Sequence, residues 1–175
     1  IQSGMCRTGK WFACEHVGVE PDIMTMAKAL GNGFPIGAMG AKAEVMDSFE
    51  PGNHASTFGG NPLASVVAKT VIDTMEEEDI PRHVEEIGDY FKKRLENLSK
   101  NHEIVREIRG LGLILAMELD GNKEAKEVLE KTREDGFLIN VTQGRVLRFV
   151  PPLIIKRDEV DKLIEELDQV LTEVK

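Results

Sequence analysis

The stretch from Val160 to Val174 leaves the chain the least freedom. Val160, Leu163, Ile164, Leu167, Val170, Leu171 and Val174 recur at spacings of three and four, with acids and lysines between them. A stripe of that width on a 3.6-residue period belongs to an amphipathic helix laid against a sheet. The residues before it must therefore supply strands.

They do so in a readable order. A helix is predicted over about 82–100, with Val84, Ile87, Phe91, Leu95 and Leu98 on one face. "GLILAMEL" reads as a strand and residues 123–135 as a helix. "GFLINV", the turn "TQGR" and "VLRFV" then form a hairpin that Pro151 and Pro152 close. Helix, strand, helix, two strands and helix make a small α+β domain over residues 81–175. Residues 61–80 predict a long connecting helix, with Asn61 as its cap and Pro62 in the first position. Its expected apolar face is Leu63, Val66, Val67, Thr70, Val71, Thr74 and Met75. Residues 1–60 read as the end of a larger α/β domain. They contain a helical patch in "FACEHVG", a buried strand in "PDIMTMA", a second strand in "GAMGAK" and a short helix in "AEVMDSF".

Composition narrows the function. The net charge of -9 is spread over helical segments and the basic residues form no patch, which argues against nucleic acid as a partner. No apolar run approaches the roughly 20 residues that span a bilayer, and the start lacks the zones of a signal peptide, so no membrane partner is expected. Cys6 and Cys14 are the only cysteines, and His16, His54, His83 and His102 share no helical turn, so no metal is expected. A cytoplasmic protein is the resulting expectation. The chain opens on Ile1 and reads as the interior of a longer protein.

Three places can carry chemistry. Lys28 follows the apolar run of "PDIMTMA", and a lone lysine is ordinarily a solvated surface group. Met24, Met26, Ala27, Ala29 and Leu30 give this amine little polar company, however, and desolvation makes a lysine a neutral nucleophile of the Schiff-base kind. The loop "GNGFPIG" fits neither G-x-G-x-x-G nor a phosphate-binding P-loop, so it reads as a tight turn that approaches a flat ligand or another chain, or as a plain connection. "HASTFGGNP" sets Ser56 and Thr57 beside two glycines at a helix entry, where hydroxyls and backbone N–H groups can hold a phosphate or simply start the helix. Arg148 alternates with Leu147 and Phe149 and so points away from them. Its guanidinium suits a carboxylate clamp or a structural ion pair.

Taken together, "GMCRTGKWFACEHVGVEPDIMTMAKALGNGFPIGA", "HASTFGGNPLA" and "GFLINVTQGRVLRFVPPL" resemble the C-terminal half of the class III (subgroup II) pyridoxal-phosphate aminotransferases. Within that family the acetylornithine aminotransferases are the most similar, with ornithine, 4-aminobutyrate and succinyl-diaminopimelate aminotransferases as alternatives. The resemblance implies the end of a fold-type I large domain followed by a small α+β domain, with pyridoxal 5'-phosphate as cofactor. It implies an amino group moved from N-acetylornithine to 2-oxoglutarate in arginine biosynthesis, by a homodimer. By the same resemblance Lys28 binds the cofactor aldehyde and shuttles the substrate proton, Ile1 and Gln2 lie at the ring, and Thr57 reaches the phosphate of the neighbouring subunit. Arg148 and Ser56 bind substrate. Two departures stand out. Cys6-Arg7-Thr8-Gly9 replaces the usual Gly-Arg-x-Gly, and the family's ring-nitrogen aspartate, phosphate loop and stacking aromatic belong before Ile1. Little transaminase activity is therefore expected of these 175 residues alone, and a non-catalytic α+β binding fragment is the contrasting reading.

Overall fold

The structure, a computed structural model, describes residues 1–174. Lys175, the last residue of the predicted 81–175 domain, lies outside the described residues. The chain forms two compact units, Ile1–Pro81 and Arg82–Lys175.

The first unit is built around a short ribbon. After a 3-10 turn over Ala13–Val17, β1 (Ile23–Met26) pairs antiparallel with β2 (Ala38–Ala41), Met26 standing opposite Ala38. A second 3-10 turn, Lys28–Leu30, and the glycine loop connect the two strands. The short α1 (Ala43–Met46) and the long α2 (Pro62–Glu77) follow. The start of α2 is as predicted, since Asn61 Oδ1 accepts the Ala64 N–H at 2.9 Å and Pro62 fills a position whose N–H would have no helical partner. Its buried face agrees with the predicted one only at Met75. Ala64, Ala68 and Met75 are buried, whereas Leu63 and Val66 are 61% and 62% exposed and Thr70 and Thr74 are also exposed. The apolar period locates the helix, but Leu63 and Val66 lie on a side that nothing else in this unit covers.

The second unit contains the sheet that the C-terminal stripe requires. α3 (Ile80–Ser99) begins at the boundary, β3 (Val105–Leu111) and β4 (Ile114–Leu119) follow, and α4 (Asn122–Glu134) leads to β5 (Asn140–Thr142), β6 (Val146–Phe149) and α5 (Arg157–Glu173). The sheet order is β3-β4-β6-β5, antiparallel throughout. Leu115, Met117, Leu119, Leu147 and Phe149 point to one face and are buried, and Phe91 of α3 meets Phe149 edge-on with ring centroids 5.5 Å apart. Every predicted apolar residue of α3 and α5 is buried.

Three strand predictions need correction. β1, expected to be buried, has no buried residue, and Ile23 is 53% exposed. β3 escapes the sequence reading because "VREIRGL" is an edge strand whose charges break the alternation. "GFLINV" shrinks to Asn140–Thr142, since Gly136 takes a positive φ at the helix exit and Leu138 is 89% exposed. The β3–β4 connection carries a close contact. Gly112 has φ 52°, and a Cβ added to Gly88 of α3 would lie within 2.6 Å of the Gly112 backbone. Helix and hairpin thus meet backbone to backbone.

Among the described residues, no helix is long and apolar enough to cross a membrane, and no group of three or more His, Cys, Asp or Glu is placed to hold a metal ion.

Candidate active site

Lys28 stands two residues beyond β1, at the head of the Lys28–Leu30 turn. Its backbone has φ 52°, the left-handed region that a side chain other than glycine enters at a cost of about 1–2 kcal/mol. Such strain in a residue that bears a nucleophile is a feature of functional sites. The turn rests against α2, and Leu30 is its buried anchor. The expected desolvation of the amine is not found. Lys28 is exposed, because the two-stranded ribbon carries no second layer over it within the unit. Among the described residues the amine has no hydrogen-bond or ionic partner.

The glycine loop folds on itself. A Cβ at Gly31 would run into the Phe34 carbonyl oxygen and lie 2.7 Å from Ile36 Cγ2, while the Phe34 N–H donates to the Gly31 carbonyl at 2.9 Å. Gly31 is required by its own loop, and Asn32 and Gly33 both take positive φ to complete the turn.

The hydroxyl pair lies in an exposed loop. Ser56, Phe58, Gly59 and Gly60 line a concavity of about 480 Å³ together with Pro35 and Gly37 from the glycine loop. The structure thus brings Ser56 next to the loop that follows Lys28. Thr57 is exposed and does not line that concavity. Ile1 and Gln2 are exposed as well.

Cys6 gives the departure from Gly-Arg-x-Gly a physical meaning. Its φ is 66°, so a cysteine holds a conformation that glycine adopts freely. The side chain is fully buried, and burial, reinforced by the Glu15 charge, pushes its thiol up to about 11. Such a thiol is inert at neutral pH.

Arg148 belongs to the second unit, on the inner strand β6. Leu147 and Phe149 face the helices, and Arg148 faces the other way, as its alternation with them predicts. Its Nη2 is buried without a hydrogen-bond partner among the described residues. An orphaned guanidinium nitrogen is costly, and an anionic ligand is the group that would satisfy it. On the same sheet face lies a charged cluster that the sequence reading missed. Arg109 Nη1 is 2.7 Å from both Glu107 Oε2 and Glu118 Oε2, and Arg145 Nη2 is 2.6 Å from Glu118 Oε1. The hydrogen bond from Arg109, aided by Arg145, holds the Glu118 carboxyl below the usual glutamate range. Only the cross-strand register assembles these residues, so linear spacing gives no sign of them.

This arrangement of strands, helices and lysine turn has close counterparts. An acetylornithine aminotransferase from Elizabethkingia anophelis superposes with a TM-score of 0.93 at 34% identity, over 99% of this chain and 46% of that one. The fold is that of the C-terminal part of a fold-type I pyridoxal-phosphate-dependent enzyme. The sequence profile of the aminotransferase class-III family matches residues 1–171, and the chain belongs to that family, whose cofactor is pyridoxal phosphate. An acetylornithine aminotransferase from Methanocaldococcus jannaschii is 49% identical over the whole chain, which covers 44% of that protein. A leucine/methionine racemase from Thermococcus litoralis is 42% identical over 99% of the chain and 41% of its own length. The chain thus spans less than half the length of these relatives.

Proposed function

We propose that Lys28 is the catalytic lysine of an aminotransferase of which this chain is a part. The enzyme moves an amino group from N-acetylornithine, or a related ω-amino donor such as ornithine, to 2-oxoglutarate, as a cytoplasmic homodimer serving arginine biosynthesis. The observation that carries the reading is the unpartnered amine of Lys28, held at the end of β1 on a backbone with φ 52°.

The donor set fits pyridoxal phosphate. Lys28 offers an amine to the aldehyde, Ile1 and Gln2 an apolar and a polar contact to the ring, and Thr57 a hydroxyl to the phosphate of the neighbouring subunit's cofactor. When bound, the cofactor supplies an electron sink for charge that develops on the substrate carbon. Lys28 Nζ takes the proton from that carbon and returns it elsewhere. Arg148 orients the substrate by a bidentate grip on a carboxylate, and Ser56 lends it a hydroxyl.

Reduction with borohydride after incubation with pyridoxal phosphate, followed by peptide mass spectrometry, tests the lysine. The full-length protein is expected to carry the reduced adduct on Lys28, and Lys28→Ala to carry none. An adduct on a different lysine would sink the assignment. A panel of amino donors with and without 2-oxoglutarate then defines the reaction, since transamination requires the keto acid and racemisation of leucine or methionine does not.

A further inference from the structure

Arg148 shares a row across the sheet with Asn140, Ala116 and Arg109, and the adjacent row runs Thr142, Val146, Glu118 and Glu107. Residues in direct register share a face, so Glu118 is the diagonal neighbour of Arg148 at roughly 7–8 Å, within reach of long side chains. A carboxylate beside a guanidinium with an orphaned nitrogen is its natural mate. The pair does not form. Both Glu118 oxygens are taken, Oε2 by Arg109 at 2.7 Å and Oε1 by Arg145 at 2.6 Å, and the side chain is only 18% exposed. Ala116, between Arg109 and Arg148 in the row, adds no polar side-chain group that could compete.

We infer that Arg109 and Arg145 are positioning residues for Arg148: by holding both oxygens of Glu118, they keep that carboxylate from neutralising Arg148 and leave the guanidinium open to a substrate carboxylate. Removing both clamps frees Glu118 to turn to Arg148, which shares that face. The substrate then competes with an internal carboxylate at far higher effective concentration. The inference rests on the carboxylate role proposed for Arg148.

The test uses the full-length protein and succinate, an unreactive dicarboxylate, titrated by calorimetry. Arg109→Met/Arg145→Met is expected to weaken succinate by about tenfold or more, the scale of one charge-assisted hydrogen bond. KM for 2-oxoglutarate is expected to rise in step, while kcat at saturation changes by less than about twofold, as for lost uniform binding. Adding Glu118→Gln to the double variant removes the competitor and is expected to restore affinity to within about threefold of wild type, a coupling that a merely structural role would not show. Wild-type affinity in the double variant, or a triple variant as weak as the double, overturns the inference. Arg145→Met alone, at an exposed turn, is expected to show an intermediate loss and serves if the double variant does not fold; no loss in it then overturns the inference. Arg148→Ala separates the two readings. If it binds succinate like wild type, the carboxylate role itself fails; if it weakens binding while the double variant does not, only the positioning role fails.

Discussion

Among the described residues, Arg82–Lys175 buries twenty-one apolar side chains and Ile1–Pro81 buries seven, although the two units are of similar length. The second unit makes its core from its own elements, with three helices on one face of a four-stranded sheet. The first makes turns, a two-stranded ribbon and a helix on which Leu63 and Val66 stay exposed. The unit that supplies stability and the unit that presents the lysine are therefore built by different rules. One is specified by periodic burial. The other is specified by positive-φ backbone at Lys28 and Cys6, which those residues hold under strain, and by a close approach at Gly31 that leaves no room for a Cβ.

Substitutions can break this contrast. Phe91→Ala, which removes a fully buried ring packed on Phe149, is expected to cost about 3–5 kcal/mol in denaturant unfolding. Leu63→Ala, on the exposed face of α2, is expected to cost less than about 0.5 kcal/mol. Equal losses would show that the first unit hides a core after all. Gly31→Ala comes next. Its Cβ meets backbone that cannot swing aside, so a local loss of about 1–3 kcal/mol is expected, seen as faster amide exchange over residues 23–41 with the second unit unaffected. Uniform loosening of both units would refute the separation.

The smallest effect concerns pH and the second unit alone. The Glu118 carboxyl is held below its ordinary value of 4.5 by Arg109 and Arg145, so its contribution to stability is complete above that value and is lost as pH falls through the lower folded one. Glu118→Gln is expected to flatten that part of the acid limb by lowering stability at neutral pH, where the carboxylate's contribution is complete. An acid limb identical to wild type would mean that the cluster contributes nothing to folding.

The same contrast explains what could be read from the sequence. The stripes of α3 and α5 predict their buried faces residue by residue, because a helix on its own sheet obeys the 3.6 period. The cap at Asn61 and the outward turn of Arg148 were equally legible, since both follow from local rules. The buried face of α2 was not, because hydrophobicity marks which side can be covered and not which side is. Nor was the exposure of Lys28, as apolar neighbours in sequence do not amount to a layer in space. Resemblance is what singles out Lys28 for the proposed role. The strain at that residue and the clamps on Glu118 emerged only from dihedral angles and strand register.

The meeting of Gly88 with Gly112 limits which sequences this fold permits. A side chain at Gly88 would strike the main chain of Gly112, twenty-four residues further on, and main chain cannot swing aside to make room. Gly112 is held to glycine on a separate ground, its φ of 52°. Substitutions elsewhere in the core can be answered by a neighbour of complementary size. At this pair no such exchange exists, so descendants of this domain can drift almost everywhere on its helices and strands while α3 stays fastened to the same turn.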